Sequence, residues 1–316
     1  MRTQIISIFI ILTLLLVVTG CSGTPRQEEG DVDFRRGTTG FEMRLIEGNP
    51  PYQVYEHDLL PITLEVFNRG VSPIIDGELY ITGYDPDIIN NNLAGYLPGT
   101  LPAYGQPHYF SIIESRSQFN EEGGYDVLEF SSGEIVLPYG TTIYDIPLAL
   151  YACYGYETIA SGNVCIDPEP HRTYADKPCI TQDVGMGGGQ GAPVAVTYID
   201  VTNMRDYIRL TFTISNVGGG TLIDEYAFSQ GACPTGFGPQ DINVVYVDQV
   251  ILGKFPITQY CAPSGRIKLN NGVGKVSCTA PIPTGSTTAY KTPVEIRLNY
   301  AYKEILKKNI QIRGYD

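Results

Sequence analysis

Apolar and polar side chains alternate with a period of two along several segments of the chain. In residues 294–302, apolar and tyrosine side chains alternate with Glu295, Arg297, Asn299 and Ala301, and residues 210–214 alternate similarly before a glycine-rich turn. Such alternation predicts strands with one face buried and the other in water. Short strands separated by Gly, Pro and Asn turns, with no capped helical period after residue 20, predict an all-β fold of antiparallel sandwiches.

Two pairs of segments repeat within the chain. Residues 141–167 align without gaps on residues 287–313 at an offset of 146, and residues 62–76 align on residues 210–224 at an offset of 148. The identities include Tyr144/Tyr290, Pro147/Pro293, Tyr154/Tyr300, Tyr156/Tyr302, Asn163/Asn309, Asn68/Asn216 and Gly70/Gly218. A tandem duplication is the simplest account. Chance alternation of strand-forming residues is the alternative.

The amino terminus has the pattern of an export leader. One positive charge at Arg2 precedes an apolar run from Ile5 to Val18, as in secretory signal peptides. The run is shorter than the roughly 20 residues that cross a bilayer core, which disfavours an uncleaved transmembrane helix. We therefore expect residues 1–20 to be a signal peptide.

The leader ends in a lipid-attachment motif. Val18-Thr19-Gly20-Cys21 resembles the lipobox of bacterial and archaeal lipoproteins. The resemblance implies cleavage after Gly20 and acylation of the Cys21 thiol, and two or more acyl chains would give stable membrane attachment.

The rest of the chain divides into three predicted parts. Residues 21–39 are polar and contain glycine, so they are expected to form a flexible, lipidated tether. The repeats then place one β-sandwich at residues 40–184 and a second at residues 185–316.

The turns after the repeated strands resemble a known module. The segments VFNRG and ISNVGGG resemble the opening of immunoglobulin-like modules of archaeal and bacterial surface proteins, including CARDB-type domains. The segment GQGAPVAV and the closing tyrosine strand look like those of exported archaeal proteins with no assigned activity. The resemblance implies two tandem immunoglobulin-like sandwiches with a structural or adhesive role.

Composition supports strands and excludes one class of partner. Charged residues are 17% of the chain, and its 23 Tyr, 35 Gly and 22 Pro suit pleated strands joined by tight turns. The formal net charge is −13, and loss of Arg2 with the leader makes the mature chain one unit more negative. Because such a surface repels phosphates, we expect no nucleic-acid partner.

Six cysteines lie beyond Cys21: Cys153, Cys165, Cys179, Cys233, Cys261 and Cys278. An even number in an exported chain predicts disulfides. Zinc is disfavoured because no CxxC pair occurs and the three histidines have no ligand spacing.

The spacing of the cysteines suggests a pairing. We expect two local closures, Cys165–Cys179 and Cys261–Cys278. The remaining pair, Cys153–Cys233, would bridge the two sandwiches and fix them rigidly. Alternatively, the neighbouring outward positions Cys153 and Cys165 could pair across a hairpin.

The outer face around Cys153 is expected to be covered. Ala149, Tyr151 and Cys153 share that face, and such a surface is unlike the polar face of the second copy. The segment 168–179 and the glycine-rich connector before Pro193 are the nearest candidates for a cover.

The sequence lacks the usual motifs of catalysis or cofactor binding. It has no GxSxG or HExxH motif, and the glycine-rich residues 185–191 precede an extended segment rather than a helix start. Asp85, Asp87 and Asn90–Asn92 offer oxygen ligands without the EF-hand spacing, so a turn is favoured over a calcium site. We therefore expect no catalytic residues, no cofactor and no metal.

The sequence thus predicts a lipid-anchored structural or interaction protein on the extracytoplasmic cell surface. Its partners would be the membrane, through Cys21, and a surface protein or glycan. One alternative is a glycan-binding lipoprotein whose exposed tyrosines stack on sugar rings, although the chain has no Trp. The other is an extracellular hydrolase with paired carboxylates. A pocket lined by Tyr and carboxylates would favour either alternative, and flat polar faces would favour the first interpretation.

Overall fold

The computed structural model describes residues 34–90, 101–172, 176–187, 189–282 and 287–315. The predicted signal peptide, Cys21 and most of the predicted tether lie outside these residues.

Seventeen strands form within the described residues. The first seven are β1 Phe41–Leu45, β2 Gln53–Tyr55, β3 Leu59–Asn68, β4 Gly77–Thr82, β5 His108–Tyr109, β6 Tyr125–Glu134 and β7 Ile143–Ile166. The other ten are β8 Val184–Gly185, β9 Val194–Asn203, β10 Tyr207–Asn216, β11 Thr221–Ile223, β12 Val244–Leu252, β13 Phe255–Pro256, β14 Cys261–Ala262, β15 Arg266–Lys268, β16 Val273–Pro281 and β17 Tyr290–Arg313. A short helix, α1 (Glu225–Ser229), and a 3₁₀ turn, Thr258–Tyr260, interrupt the second half.

The strands of the described residues form three sheets. One has the order β1-β3-β6, a second has the order β14-β16-β10-β9-β8, and the nine-stranded third contains β13-β12-β17-β7-β4-β5 with β2, β11 and β15 alongside. All pairs are antiparallel except the short contact between β2 and β17. The predicted all-β fold class with antiparallel sheets is confirmed.

The two long strands join the two copies of the repeat. β7 and β17 have 24 residues each and pair along their whole length, about 80 Å at the usual strand rise. Gly155 lies opposite Ala301 at the middle, so each aligned identity faces a residue of the other copy. Examples are Pro147 opposite Asn309 and Asn163 opposite Pro293. The arrangement therefore has an approximate two-fold axis at the centre of the β7–β17 pair.

The nine-stranded sheet is shared by the two copies, because it contains both β7 and β17. The three-stranded and five-stranded sheets each pack on one half of this shared sheet. In the first, the Phe41 ring of β1 packs against the Tyr154 ring of β7, with centroids 5.4 Å apart, and in the second, the Val194 carbonyl of β9 accepts from the Thr158 hydroxyl of β7 (2.7 Å). The carboxyl end of β17 extends into the first half, where it pairs with β2. The boundary between residues 184 and 185 stays a prediction, and the shared sheet contains strands from both sides of it.

A tyrosine and an asparagine lock the corner after β3. The Tyr156 hydroxyl donates to Asn68 Oδ1 (3.3 Å) and accepts from the backbone N–H of Ser72 (3.3 Å). Asn68 Nδ2 donates to the Ser72 carbonyl (2.8 Å). Glycine is required at position 70 because a Cβ there would lie 1.8 Å from the Tyr156 hydroxyl oxygen.

The second copy repeats this corner. The Tyr302 hydroxyl donates to Asn216 Oδ1 (2.8 Å) and accepts from the Gly220 N–H (3.0 Å), while Asn216 Nδ2 donates to the Gly220 carbonyl (3.2 Å). An amide side chain suits this corner because its one short planar group offers both a donor and an acceptor. The recurring Asn, Gly and Tyr identities therefore satisfy turn groups that would otherwise be buried without partners.

Three disulfides link the described cysteines: Cys153–Cys233, Cys165–Cys179 and Cys261–Cys278. They are the same three pairs that the spacing suggests.

The cover over Cys153 is not the expected one. Residues 224–243 separate β11 from β12, and they fold over the outer face of the shared sheet. Phe228 of α1, Ile223 and Cys233 pack there against Cys153 and Tyr80. The expectation that segment 168–179 or the connector covers Cys153 is therefore wrong, because the segment that ends in Cys179 packs against Cys165 instead.

Candidate functional site

An apolar pocket of 880 Å³ opens at the far end of the second copy. It lies between the β12–β13 hairpin, the 3₁₀ turn and the ends of β7, β16 and β17. Its lining comprises Ile166, Leu252, Gly253, Lys254, Phe255, Pro256, Ile257, Gln259, Tyr260, Ala280, Pro281, Ile282, Tyr290, Thr292 and Pro293. This volume falls in the usual range of small-molecule sites.

Local backbone chemistry shapes the walls of the pocket. Gly253 adopts a φ of +64°, which lets the β12–β13 hairpin turn tightly, and its N–H donates to the Pro293 carbonyl (2.8 Å). The Thr258 hydroxyl accepts from the Val250 N–H (2.8 Å) and holds the 3₁₀ turn against β12.

A disulfide joins two walls of the pocket. Cys261 directly follows the 3₁₀ turn, and Cys278 lies opposite it on β16. The covalent link keeps both walls at a fixed separation, so the pocket is part of the rigid framework.

The pocket is apolar at its base and exposed at its mouth. Ile257 and Ala280 are buried, whereas Phe255 is 63% exposed and Tyr260 is 44% exposed. Lys254 is the one charged residue among the described lining residues, which include no Asp or Glu. Such a lining suits an apolar group and is unlike the pocket of Tyr and carboxylates that would favour a hydrolase or a glycan site.

A second, polar pocket of 350 Å³ lies on the outer face of the shared sheet. Tyr52, which is 68% exposed, borders it together with Asp145, Asn309 and Gln311. Gln311 Nε2 donates to Asp145 Oδ1 (3.1 Å), which fixes both side chains. An exposed ring beside planar hydrogen-bonding groups is an arrangement that can hold a sugar.

Further tyrosines on this outer face stack with each other. The rings of Tyr80 and Tyr151 are parallel within 11°, with centroids 5.0 Å apart, and Lys303 Nζ lies 3.9 Å from the centre of the Tyr151 ring. Burial lowers the pKa of Lys303. These contacts occupy the ring faces, so this cluster supports the fold rather than a ligand.

One carboxyl group lies at the inner centre of the shared sheet. Glu304 occupies the position that aligns with Thr158, whose hydroxyl lies 2.8 Å from the Tyr300 hydroxyl. Burial raises the pKa of Glu304 to about 7; a hydrogen bond from the Tyr154 hydroxyl (3.5 Å) lowers it, and the charge of Glu42 raises it. Glu304 is thus a half-buried acid whose pKa lies near neutral pH.

Several sequence-based site predictions can be located in the structure. The six non-lipobox cysteines form the disulfides above, and Cys21 lies outside the described residues. Asp85 accepts the backbone N–H of Asp87 through Oδ1 (2.9 Å), as a turn residue does, while Asn91 and Asn92 also lie outside them. In the part of the chain that the structure describes, no group of three or more His, Cys, Asp or Glu is placed to hold a metal ion.

The pocket residues are those that sequence reasoning missed. They come from four separate segments of the chain, Ile166 and residues 252–260, 280–282 and 290–293, so no local motif marks them. A weak signal existed, because Phe255 and Tyr260 place aromatic side chains in a turn region where polar residues are usual.

No helix among the described ranges has the length and apolar character needed to cross a bilayer. Three disulfides are typical of proteins that fold in an oxidising compartment outside the cytoplasm. The fold and the pocket therefore define a class: an all-β, disulfide-linked protein with an open apolar pocket.

Comparisons with known proteins add little to this class. No protein-family model and no curated protein matches the chain. Among solved structures, the chain is similar to the CupB6 tip adhesin from Pseudomonas aeruginosa, with 10% identity, a TM-score of 0.18 and coverage of 89% of this chain and 97% of the adhesin chain. A likeness at that score carries no argument about fold or function.

Proposed function

We propose that the chain is an extracytoplasmic interaction protein, held at the membrane by a lipid on Cys21, that binds an apolar ligand or partner group without catalysis. The observation that carries this proposal is the open pocket of 880 Å³ at the end of the second copy. Its apolar lining and exposed aromatic mouth supply binding energy through the removal of apolar surface from water.

The framework around the pocket supports a binding role. The β7–β17 pair links both copies along 24 residues, and Cys261–Cys278 fixes the pocket walls. A preformed site loses little conformational entropy when a ligand enters, so its apolar contacts are available for affinity. Two or more acyl chains on Cys21 would hold the folded part of the chain near the membrane through the predicted tether.

Titration with an environment-sensitive apolar dye tests the binding role. The whole exported chain carrying Cys21→Ser is used, so that neither attached lipid nor detergent competes with the dye. We expect saturable fluorescence enhancement that Phe255→Ser weakens about tenfold, since the exposed Phe255 ring contributes apolar surface at the mouth.

Phe119→Ser is the matched control because Phe119 is 91% exposed and is not among the pocket lining residues. Equal dye binding by both variants and the parent chain would contradict the proposed role of the pocket.

The anchor is tested separately by fractionation of the native host or a lipoprotein-processing host. The parent chain is expected in the membrane fraction, with acyl groups on its amino-terminal cysteine by mass spectrometry. Cys21→Ser is expected in the soluble extracytoplasmic fraction. Membrane retention of the serine variant would contradict the lipid anchor.

Glycan binding is a second candidate, which the polar pocket favours. Tyr52, Asp145 and Gln311 combine an exposed ring with fixed planar polar groups. Tyr52→Ala should abolish any retention on a glycan array, while Tyr139→Ala, which changes a fully exposed ring elsewhere, should not. Absence of glycan binding by the parent chain would refute this candidate.

A further inference from the structure

We infer that the ligand of the apolar pocket is a free single-chain amphiphile, with an aliphatic tail at the buried base and an acidic head group beside Lys254. This inference rests on the proposed binding function and specifies its ligand class.

The tail is assigned from the base of the pocket. Ile257, Ala280 and Ile282 are buried there, and the lining as a whole is predominantly apolar. A polar ligand group at this depth would lose its hydration, and the Thr292 hydroxyl is the one polar side chain among the buried residues of the described lining. An aliphatic chain has no polar groups to dehydrate, and each methylene that leaves water contributes favourable binding free energy.

The head group is assigned from the mouth. Lys254, Gln259 and Tyr260 are exposed there, so the charged and amide side chains of the described lining lie on its solvent side. A ligand that spans base and mouth is therefore apolar at one end and polar at the other.

The sign of the head group follows from Lys254. This ammonium makes no ion pair among the described residues, and no described lining residue is acidic. The chain as a whole carries a formal charge of −13, but salt screens charges beyond about 8 Å at physiological ionic strength. Lys254 is the one charged side chain in the described lining, so the pocket itself favours a carboxylate or another anionic head.

A homologous series tests the tail. Displacement of the dye from the Cys21→Ser chain is measured with saturated fatty acids of increasing length, below their micelle concentrations. Each added methylene removes apolar surface worth about 0.8 kcal/mol, so affinity should rise about fourfold per methylene until the pocket is full. Affinity that is independent of length overturns the assignment of the tail.

Matched head groups test the acid. Lys254→Gln should weaken binding of a fatty acid about threefold and leave the alcohol of equal length unchanged, as expected for an exposed ion pair. Lys307→Gln, which changes an exposed lysine in the other half of the sheet, should affect neither ligand. Tighter binding of the alkylamine than of the fatty acid overturns the assignment of the head.

These outcomes separate the inference from the proposed function. Dye binding that depends on Phe255 but is displaced equally by acids, alcohols and amines leaves the proposed function intact and overturns the inference. A lack of dye binding by the parent chain overturns both. A vesicle arm completes the test: binding to anionic vesicles, without binding to monomeric fatty acid, overturns the assignment of a free ligand.

Discussion

Truncation of Asn68 tests the physical account of the repeated corner. The side chain is 0% exposed, and Nδ2 donates to the carbonyl oxygens of Ser72 (2.8 Å) and Ile113 (3.1 Å). Its Oδ1 accepts from the Gly70 N–H (3.1 Å) and from the Tyr156 hydroxyl (3.3 Å). Asn68→Ala therefore removes partners from four groups at once, in a place that water does not easily reach.

The expected cost differs between the two copies. A buried polar group left without a partner costs about 1–3 kcal/mol, and neighbouring losses overlap, so Asn68→Ala should lower the free energy of unfolding by about 4 kcal/mol. Asn216 bonds the Gly220 carbonyl and the Tyr302 hydroxyl and is only partly buried. Asn216→Ala should therefore cost about 2 kcal/mol.

Urea unfolding with the disulfides intact measures both changes. Circular dichroism and tyrosine fluorescence should give coincident transitions, and an unchanged m-value would show that the midpoint shift reports stability. A loss of unfolding free energy below about 1 kcal/mol for Asn68→Ala, or one smaller than that for Asn216→Ala, would contradict the proposed role of Asn68 in the corner.

Three further predictions concern other parts of the framework. Replacing Cys153 and Cys233 by Ala opens a link across 80 residues, and loss of that restraint should lower stability by up to about 4 kcal/mol in non-reducing urea unfolding. Gly70→Ala places a Cβ 1.8 Å from the Tyr156 hydroxyl oxygen, so it should lower the thermal midpoint, and an unchanged midpoint would contradict the packing. Because the pKa of Glu304 is raised to about 7, the folded chain favours the protonated carboxyl group. The stability that this group contributes is complete below about pH 4 and is lost as pH rises through 7. The free energy of unfolding of Glu304→Gln should therefore exceed that of the parent chain by about 2 kcal/mol at pH 8 and nearly equal it at pH 4.

Local sequence pattern predicted a large part of the framework. The alternation in residues 294–302 lies within β17, where Leu298, Tyr300 and Tyr302 are buried as predicted. Such a prediction succeeds because successive side chains of any strand point to opposite faces, whatever the strand pairs with. The short helix α1 had no comparable signal, since five residues are too few to show a helical period.

The candidate site was beyond sequence reasoning for a different reason. Ile166, Leu252, Ile282 and Tyr290 meet only because the ends of three strands and a hairpin come together. Each of these residues follows the ordinary pattern of its own strand, and none is chemically unusual. An apolar pocket therefore has no local signature in the way that a metal-binding or nucleophile motif does.

The alternation along the chain predicts strands at residues 210–214 and 294–302, the apolar face of each, and the segments that repeat. The pairing of β7 with β17, and the cover of residues 224–243 over the outer face at Cys153, follow from the tertiary structure. The reason is that duplicated strands present the same alternation and the same edges. The choice between pairing within a copy and pairing across the two-fold axis therefore depends on the packing of whole sheets, which no short stretch of sequence encodes.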